Sequence, residues 1–137
     1  MVAKKELSLD SLNLNKQCAD AFEIEYIDAQ GKHTGVFLSV VGAHSDIVRK
    51  FSVDETNRRR REEMKKSRRK SSADDFTPIE DDIDYIIRDA ASRIVGWKGI
   101  NQPYTPGDAI TLCTINTLIR GQVVEASNDM ANFTRSK

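Results

Sequence analysis

Cysteine is scarce in these 137 residues. Cys18 and Cys113 are the only two, with no Cys-x-x-Cys spacing and no neighbouring His pair. That excludes a disulfide framework and a zinc-ligand pattern, and it fits a reducing compartment. Long apolar runs are missing as well. The longest, Val36 to Ala43, falls far short of the roughly 20 residues a membrane span needs. Lys4, Lys5 and Glu6 lead into a polar Ser/Leu/Asn stretch instead of a signal-peptide core, so neither secretion nor membrane spanning is expected. Net charge is absent too: 21 Lys and Arg cancel 21 Asp and Glu, and any basic patch must be local. What is present is 39% hydrophobic residues, enough for the core of one domain of this length.

The first 20 residues carry Leu7, Leu9, Leu12 and Leu14 mainly at period two, with no turn residues to frame a strand. We expect the first few to be disordered and the rest to form a weak strand or an adaptable arm. Residues 22–28 alternate, with Phe22, Ile24 and Tyr26 on one face and Glu23 and Glu25 on the other. Asp28-Ala29-Gln30-Gly31 is turn chemistry, and Thr34 to Val41 returns as a second run. Val36, Leu38 and Val40 are expected inward, and Phe37 and Val41 on the outer face. This predicts a β-hairpin, too small to stand alone in water.

Ser45 is the expected cap of the next helix, with Asp46 at its positive end and Ile47, Val48 and Phe51 as its apolar stripe. From Asp54 to Ser72 the only sizeable apolar side chain is Met64. That stretch is either an exposed helical extension or a linker. Charge is segregated here: residues 58–70 hold nine basic and two acidic side chains, a net of +7, and residues 74–89 hold seven acids against Arg88, a net of −6.

Thr77-Pro78 signals another helix start, with Ile79, Ile83, Ile86, Ile87, Ala90 and Ile94 at steps of three and four. Its expected end is Trp97, between Gly96 and Gly99. Thr105-Pro106-Gly107-Asp108 opens a short helix carrying Ile110, Leu112, Cys113 and Ile115. A last helix follows Asn116 through Ile119, Val123, Ala126, Met130 and Phe133. The expected class is α+β: an N-terminal hairpin followed by a mainly helical bundle. Its divisions are an arm (1–20), hairpin and helix start (21–53), charged extension or linker (54–75) and helical subdomain (76–137), all in one domain.

No catalytic constellation emerges. His33 and His44 sit at loop positions without a nearby Cys, and Cys113 reads as an inert core thiol. Glu80-Asp81-Asp82-x-Asp84 lacks the spacing of a calcium loop. Gly96-x-x-Gly99 has the spacing of an RNA-binding GxxG loop, but Trp97 beside the first Gly and the lack of a matching sheet argue against it. The basic run would attract phosphate polymers, yet no aromatic residue interleaves with it to stack on bases. Nucleic acid is therefore the least favoured partner, and no metal or cofactor is expected.

The C-terminal third carries an ordered string: Ile94-Val95-Gly96-Trp97-Lys98-Gly99-Ile100, then Pro103-Tyr104-Thr105-Pro106, Ile119-Arg120-Gly121-Gln122-Val123, and Asn132-Phe133. With Val41-Gly42-Ala43-His44-Ser45-Asp46 and Asn57-Arg58-Arg59 upstream, the chain resembles the tail assembly chaperones of long-tailed, siphovirus-type bacteriophages. The likeness spans about residues 22–137, and the basic tract is longer than the family pattern. The resemblance implies a non-enzymatic protein that binds the long apolar tape measure protein and keeps it soluble. It would yield to tail tube subunits as the tube assembles, acting in the host cytoplasm and absent from the mature virion. Many such chaperones also have a frameshifted, C-terminally extended form.

The residues offer a matching reading. Phe37 and Val41 are expected to supply part of a sticky surface, with the leucine-rich arm as another part. The basic run, with Arg58, Arg59, Arg60 and Arg61, is expected to meet the acidic helix of a second copy through Asp81 and Asp82. Such a head-to-tail contact propagates as a ring or open spiral. Trp97, Tyr104 and Phe133 are expected to cluster and close the helical core, with client contact as the other role for Trp97. Two other readings stay open: a structural tail or tail tube component kept in the virion, and a nucleic-acid-binding accessory protein using residues 58–70.

Overall fold

The computed structural model describes residues 6–69 and 79–134. The protein is α+β: one three-stranded antiparallel sheet packed on helices. Strands β1 (Phe22–Ile27) and β2 (His33–Val40) form the hairpin, paired from Phe22↔Val40 to Ile27↔His33. Asp28 closes it. Its Oδ1 accepts the amides of Gln30 and Lys32, both at 2.9 Å, and Gly31 takes the positive φ of 79° that the reversal requires.

Residues 14–20 depart from the expected arm or strand. After a 3-10 turn at Asp10–Leu12, α1 (Leu14–Ala19) starts where Asn13 Oδ1 accepts the Lys16 amide at 3.1 Å. Cys18 on this helix is fully buried, so only the leucines before it remain outside the core. Capping by Asn13 and burial of Cys18 override the period-two leucine pattern.

Helix α2 (Asp46–Arg69) begins at Ser45, whose buried Oγ accepts the Val48 amide at 3.4 Å. It continues through the charged stretch as a helix, so the extension reading holds to Arg69; residues 70–75 lie outside the described residues. Its Arg, Lys, Glu and Met favour helix where no apolar face is buried. Helix α3 (Ile79–Ser92) packs against it. The expected Thr77-Pro78 opening lies outside the described residues.

The largest correction is the end of α3. It stops at Ser92, and Ile94–Lys98 forms strand β3 instead of a last helical turn. β3 pairs with β2 through Val40↔Ile94, Ser39↔Gly96, Leu38↔Trp97 and Phe37↔Lys98. Ile94 satisfies the helical step from Ile87 and Ala90 and equally a strand position. The open edge of β2 and the β-branched Ile94-Val95 pair decide for the strand. The turn after β3 is tight: Gly99 has φ 82°, and a Cβ there would stand 2.2 Å from the Gly35 carbonyl oxygen.

Helix α4 (Pro106–Ile115) keeps its expected cap, with Thr105 Oγ1 accepting the Asp108 amide at 3.0 Å. The expected final helix is broken in two, α5 (Thr117–Asn128) and α6 (Ala131–Thr134). Asp129 stays extended, and its Oδ1 accepts the Ala131 amide at 3.1 Å. In the run Ser127-Asn128-Asp129 side-chain hydrogen bonds displace the helical ladder. Helices α3, α4 and α5 contact the sheet. The core joins Leu38 and Val40 to Ile87, Ala90, Ala91, Ile94, Ala109, Cys113, Ile119 and Val123.

Gln122 of α5 has a particular task. Its Oε1 accepts the Ile27 amide at 3.2 Å, and its Nε2 donates to the Ile27 carbonyl at 2.8 Å. One side chain thereby satisfies both main-chain groups at the end of an edge strand.

Candidate interaction surface

Val41 overturns its expected exposure. It is 1% exposed, because the chain leaves the sheet after Val40. The Val41 amide donates to the Arg93 carbonyl at 2.9 Å, and its carbonyl accepts from Ser127 Oγ at 2.8 Å. Alternation fails at this residue because the backbone turns into the helical layer. Phe37 is half-buried, in register with Glu25 and Lys98 on the sheet face opposite Leu38.

Among the described residues the two charge blocks touch within the chain through Arg59 and Asp82, on the α2–α3 seam, where Glu55 also pairs with an arginine of each helix. Glu55, 5% exposed, accepts from Arg88 and from Arg58 at 3.0 Å. Burial alone would raise the Glu55 carboxyl, but the bonds from Arg58 and Arg88 and their charges outweigh it and hold it below its ordinary value. Burial likewise acts to lower the Arg88 guanidinium, and the bonds and charges of Glu55 and Asp84 overcome it and raise it. Arg59 lies 4.6 Å over the Tyr85 ring and 3.8 Å from Asp82, and Tyr85 stacks on Phe51 at 5.9 Å. Arg58, Arg59 and Asp82, expected to reach a second copy, are thus engaged in cis. Arg60 and Arg61 are exposed, and the side chain of Asp81 lies outside the described residues.

The expected aromatic cluster is two separate pairs. Trp97 meets Tyr104 edge-on at 5.3 Å, and Phe133 packs on Phe22 at 6.3 Å. The break at Asp129 carries Phe133 to the far end of β1. Trp97 Nε1 donates to the Gln102 carbonyl at 2.8 Å, and the Tyr104 hydroxyl donates to the Ile94 carbonyl at 2.7 Å. Burial pushes the Tyr104 phenol up. Burial also pushes the Cys113 thiol up to about 11, which keeps it protonated and unreactive near neutral pH.

Two apolar grooves flank α4, and pattern reading missed both. One, about 340 Å3, lies between the sheet and α4, lined by Tyr26, Val36, Trp97, Ile100, Leu112 and Ile115. The other, about 540 Å3, lies between α2, β3 and α4, with Ile47, Phe51, Val95 and Ile110 among its walls. The signal was in α4 itself, whose apolar side chains do not keep to one side. Ala109 and Cys113 are buried, while Ile115 is 75% exposed. A third cavity, about 520 Å3, is polar and lies on the opposite flank of α2, between Asn15, Arg49, Ser52 and Arg93. Arg93 donates there to Asn128 Oδ1 at 2.8 Å and to Asp89 Oδ2 at 3.2 Å, tying α3 to the end of α5.

Among the described residues no group of three or more His, Cys, Asp or Glu is placed to hold a metal, and no helix is long and apolar enough to cross a membrane. Compared with family models, curated proteins and solved structures, the chain matches none.

Proposed function

We propose that this protein is a non-enzymatic assembly chaperone for long phage tails, which holds the tape measure protein soluble in the host cytoplasm. It releases that client to the growing tail tube and is absent from the finished virion. The observation that supports this most is where the resembling string falls. Trp97 and Ile100 wall the groove between the sheet and α4, and Tyr104 and Pro106 wall the groove on the other side. Ile115, in the wall of the first groove, is 75% exposed. Such a surface suits the apolar face of an amphipathic, coil-forming helix, docked by i/i+3/i+4 side chains. Its shallow, open form fits reversible holding better than chemistry.

Co-expression with the tape measure protein of the same phage tests the reading. The client should move into the soluble fraction and co-purify with this chain. A client that stays insoluble with and without it refutes the proposal. Mass spectrometry of purified virions should find no copies; copies at tail stoichiometry would make it a structural component instead.

A further inference from the structure

The polar cavity of about 520 Å3 between α1, α2 and α3 is lined by hydrogen-bonding groups that the chain itself leaves unused. Its walls hold two guanidinium cations, Arg49 and Arg93, against the single carboxylate of Asp89. Arg93 takes that carboxylate through Nη2, at 3.2 Å. Its Nη1 donates to Ser127 Oγ at 3.2 Å and to Asn128 Oδ1 at 2.8 Å. Arg93 is only 8% exposed, and its Nε–H is a buried donor with no partner among the described residues. A buried donor left unmet in a folded protein calls for a missing partner. Arg49 forms no ion pair among the described residues, whereas Lys50 and Arg88 of the 540 Å3 groove are both paired within the chain. Nor do the side chains of Asn15, His44 and Ser52 hydrogen-bond to any of the described residues.

We propose that this cavity binds a phosphate oxyanion, as the free ion or as the end of a phosphomonoester. Arg49 supplies the charge that Asp89 does not cancel, and a guanidinium offers forked donors that match phosphate oxygens. Asn15 on α1 and Ser52 on α2 add donors from separate elements, which suits a tetrahedral oxyanion better than a planar carboxylate. Tyr85, also in the wall, is already stacked on Phe51 with Arg59 over its ring, so it is no platform for a nucleotide base. A bound phosphate would tie α1 to α2 and α3 and so stabilise the folded chain. The site lies on the opposite flank of α2 from the 540 Å3 groove, and the inference does not rest on the client reading.

The test is thermal unfolding of the isolated full chain at constant ionic strength, with inorganic phosphate, glycerol 3-phosphate, acetate or chloride added. Inorganic phosphate should raise the Tm progressively with concentration, and acetate and chloride should not. The side-chain amide signal of Asn15 in NMR spectra should move over the same phosphate range. Arg49→Gln, at an exposed position, should weaken phosphate binding about tenfold or more, as loss of a charged hydrogen-bond donor does. Arg60→Gln, exposed on the same helix but outside the cavity, should leave binding unchanged. Circular dichroism checks that the variants are folded, and Ser52→Ala replaces Arg49→Gln if that one is not. A stronger response to glycerol 3-phosphate identifies a phosphomonoester as the occupant, and an equal or weaker one the free ion; either supports the proposal. No response to phosphate, an equal response to acetate or chloride, or binding that survives Arg49→Gln overturns it. So does an equal loss in Arg60→Gln, which would assign the binding to the basic run of α2. Because no client is present in these measurements, their failure leaves the chaperone reading standing.

Discussion

The Gly42 amide donates to the Cys18 carbonyl at 2.8 Å, and a Cβ on Gly42 would stand 2.5 Å from the Cys18 sulfur. The strand-to-helix join and α1 therefore touch through a position where only hydrogen fits. Gly42→Ala should lower stability by about 1–3 kcal/mol, the usual cost of forcing a methyl into a packed site. Urea unfolding measures that loss. Labelling of Cys18 by a thiol reagent under native conditions should accelerate, because α1 is displaced.

Glu55 makes a pH-dependent contribution of defined sign. Its carboxyl is held below its ordinary value when folded, so its stabilisation is present above the unfolded value and lost as pH falls through the folded one. Glu55→Gln should cost about 1.5–3 kcal/mol at pH 7, the range for a charged hydrogen bond. The gap between variant and wild type should close as the solution is acidified below the carboxylate range. Thermal unfolding from pH 7 to pH 3 measures both.

Gln122 completes β1 from outside the sheet. Gln122→Ala leaves the Ile27 amide and carbonyl without their partner and should cost about 1–3 kcal/mol. Amide exchange at Ile27 should quicken more than at Ile24, which is paired with Leu38 inside the hairpin.

Ile115 separates folding from holding. It is 75% exposed, so Ile115→Asp should change the stability of the isolated chain by no more than about 0.5 kcal/mol. The fraction of tape measure protein recovered soluble on co-expression should nonetheless fall. Unchanged recovery would exclude the sheet–α4 groove as the client site.

Local chemistry was readable where it is self-contained. Asp28 and Gly31 announced the hairpin, Ser45 the start of α2, and Thr105-Pro106 with Asp108 the start of α4, and each behaves as its side chain dictates. Features set by a distant partner were not. Ile94 fits a helical stripe until the edge of β2 is there to pair with it. Val41 continues an alternation until Arg93 and Ser127 take its backbone. Arg59 reads as one charge in a basic run, and its place over Tyr85 depends on how α3 lies. Of the residues that wall the grooves, only Trp97 was singled out for partner contact. The grooves arise between elements, and no single stretch of chain encodes them.

Helix α2 also has a mechanical property. The innermost turns are gripped by the stack of Phe51 on Tyr85 and by Glu55, while Lys65 near the outer end is exposed. With a rise of 1.5 Å per residue, Lys65 lies about 21 Å along the axis from Phe51. The rod is a lever: each degree of tilt about Phe51 swings Lys65 through about 0.4 Å. Since Phe51 also lines the 540 Å3 groove, whatever wedges into that groove would be magnified at the rod's tip.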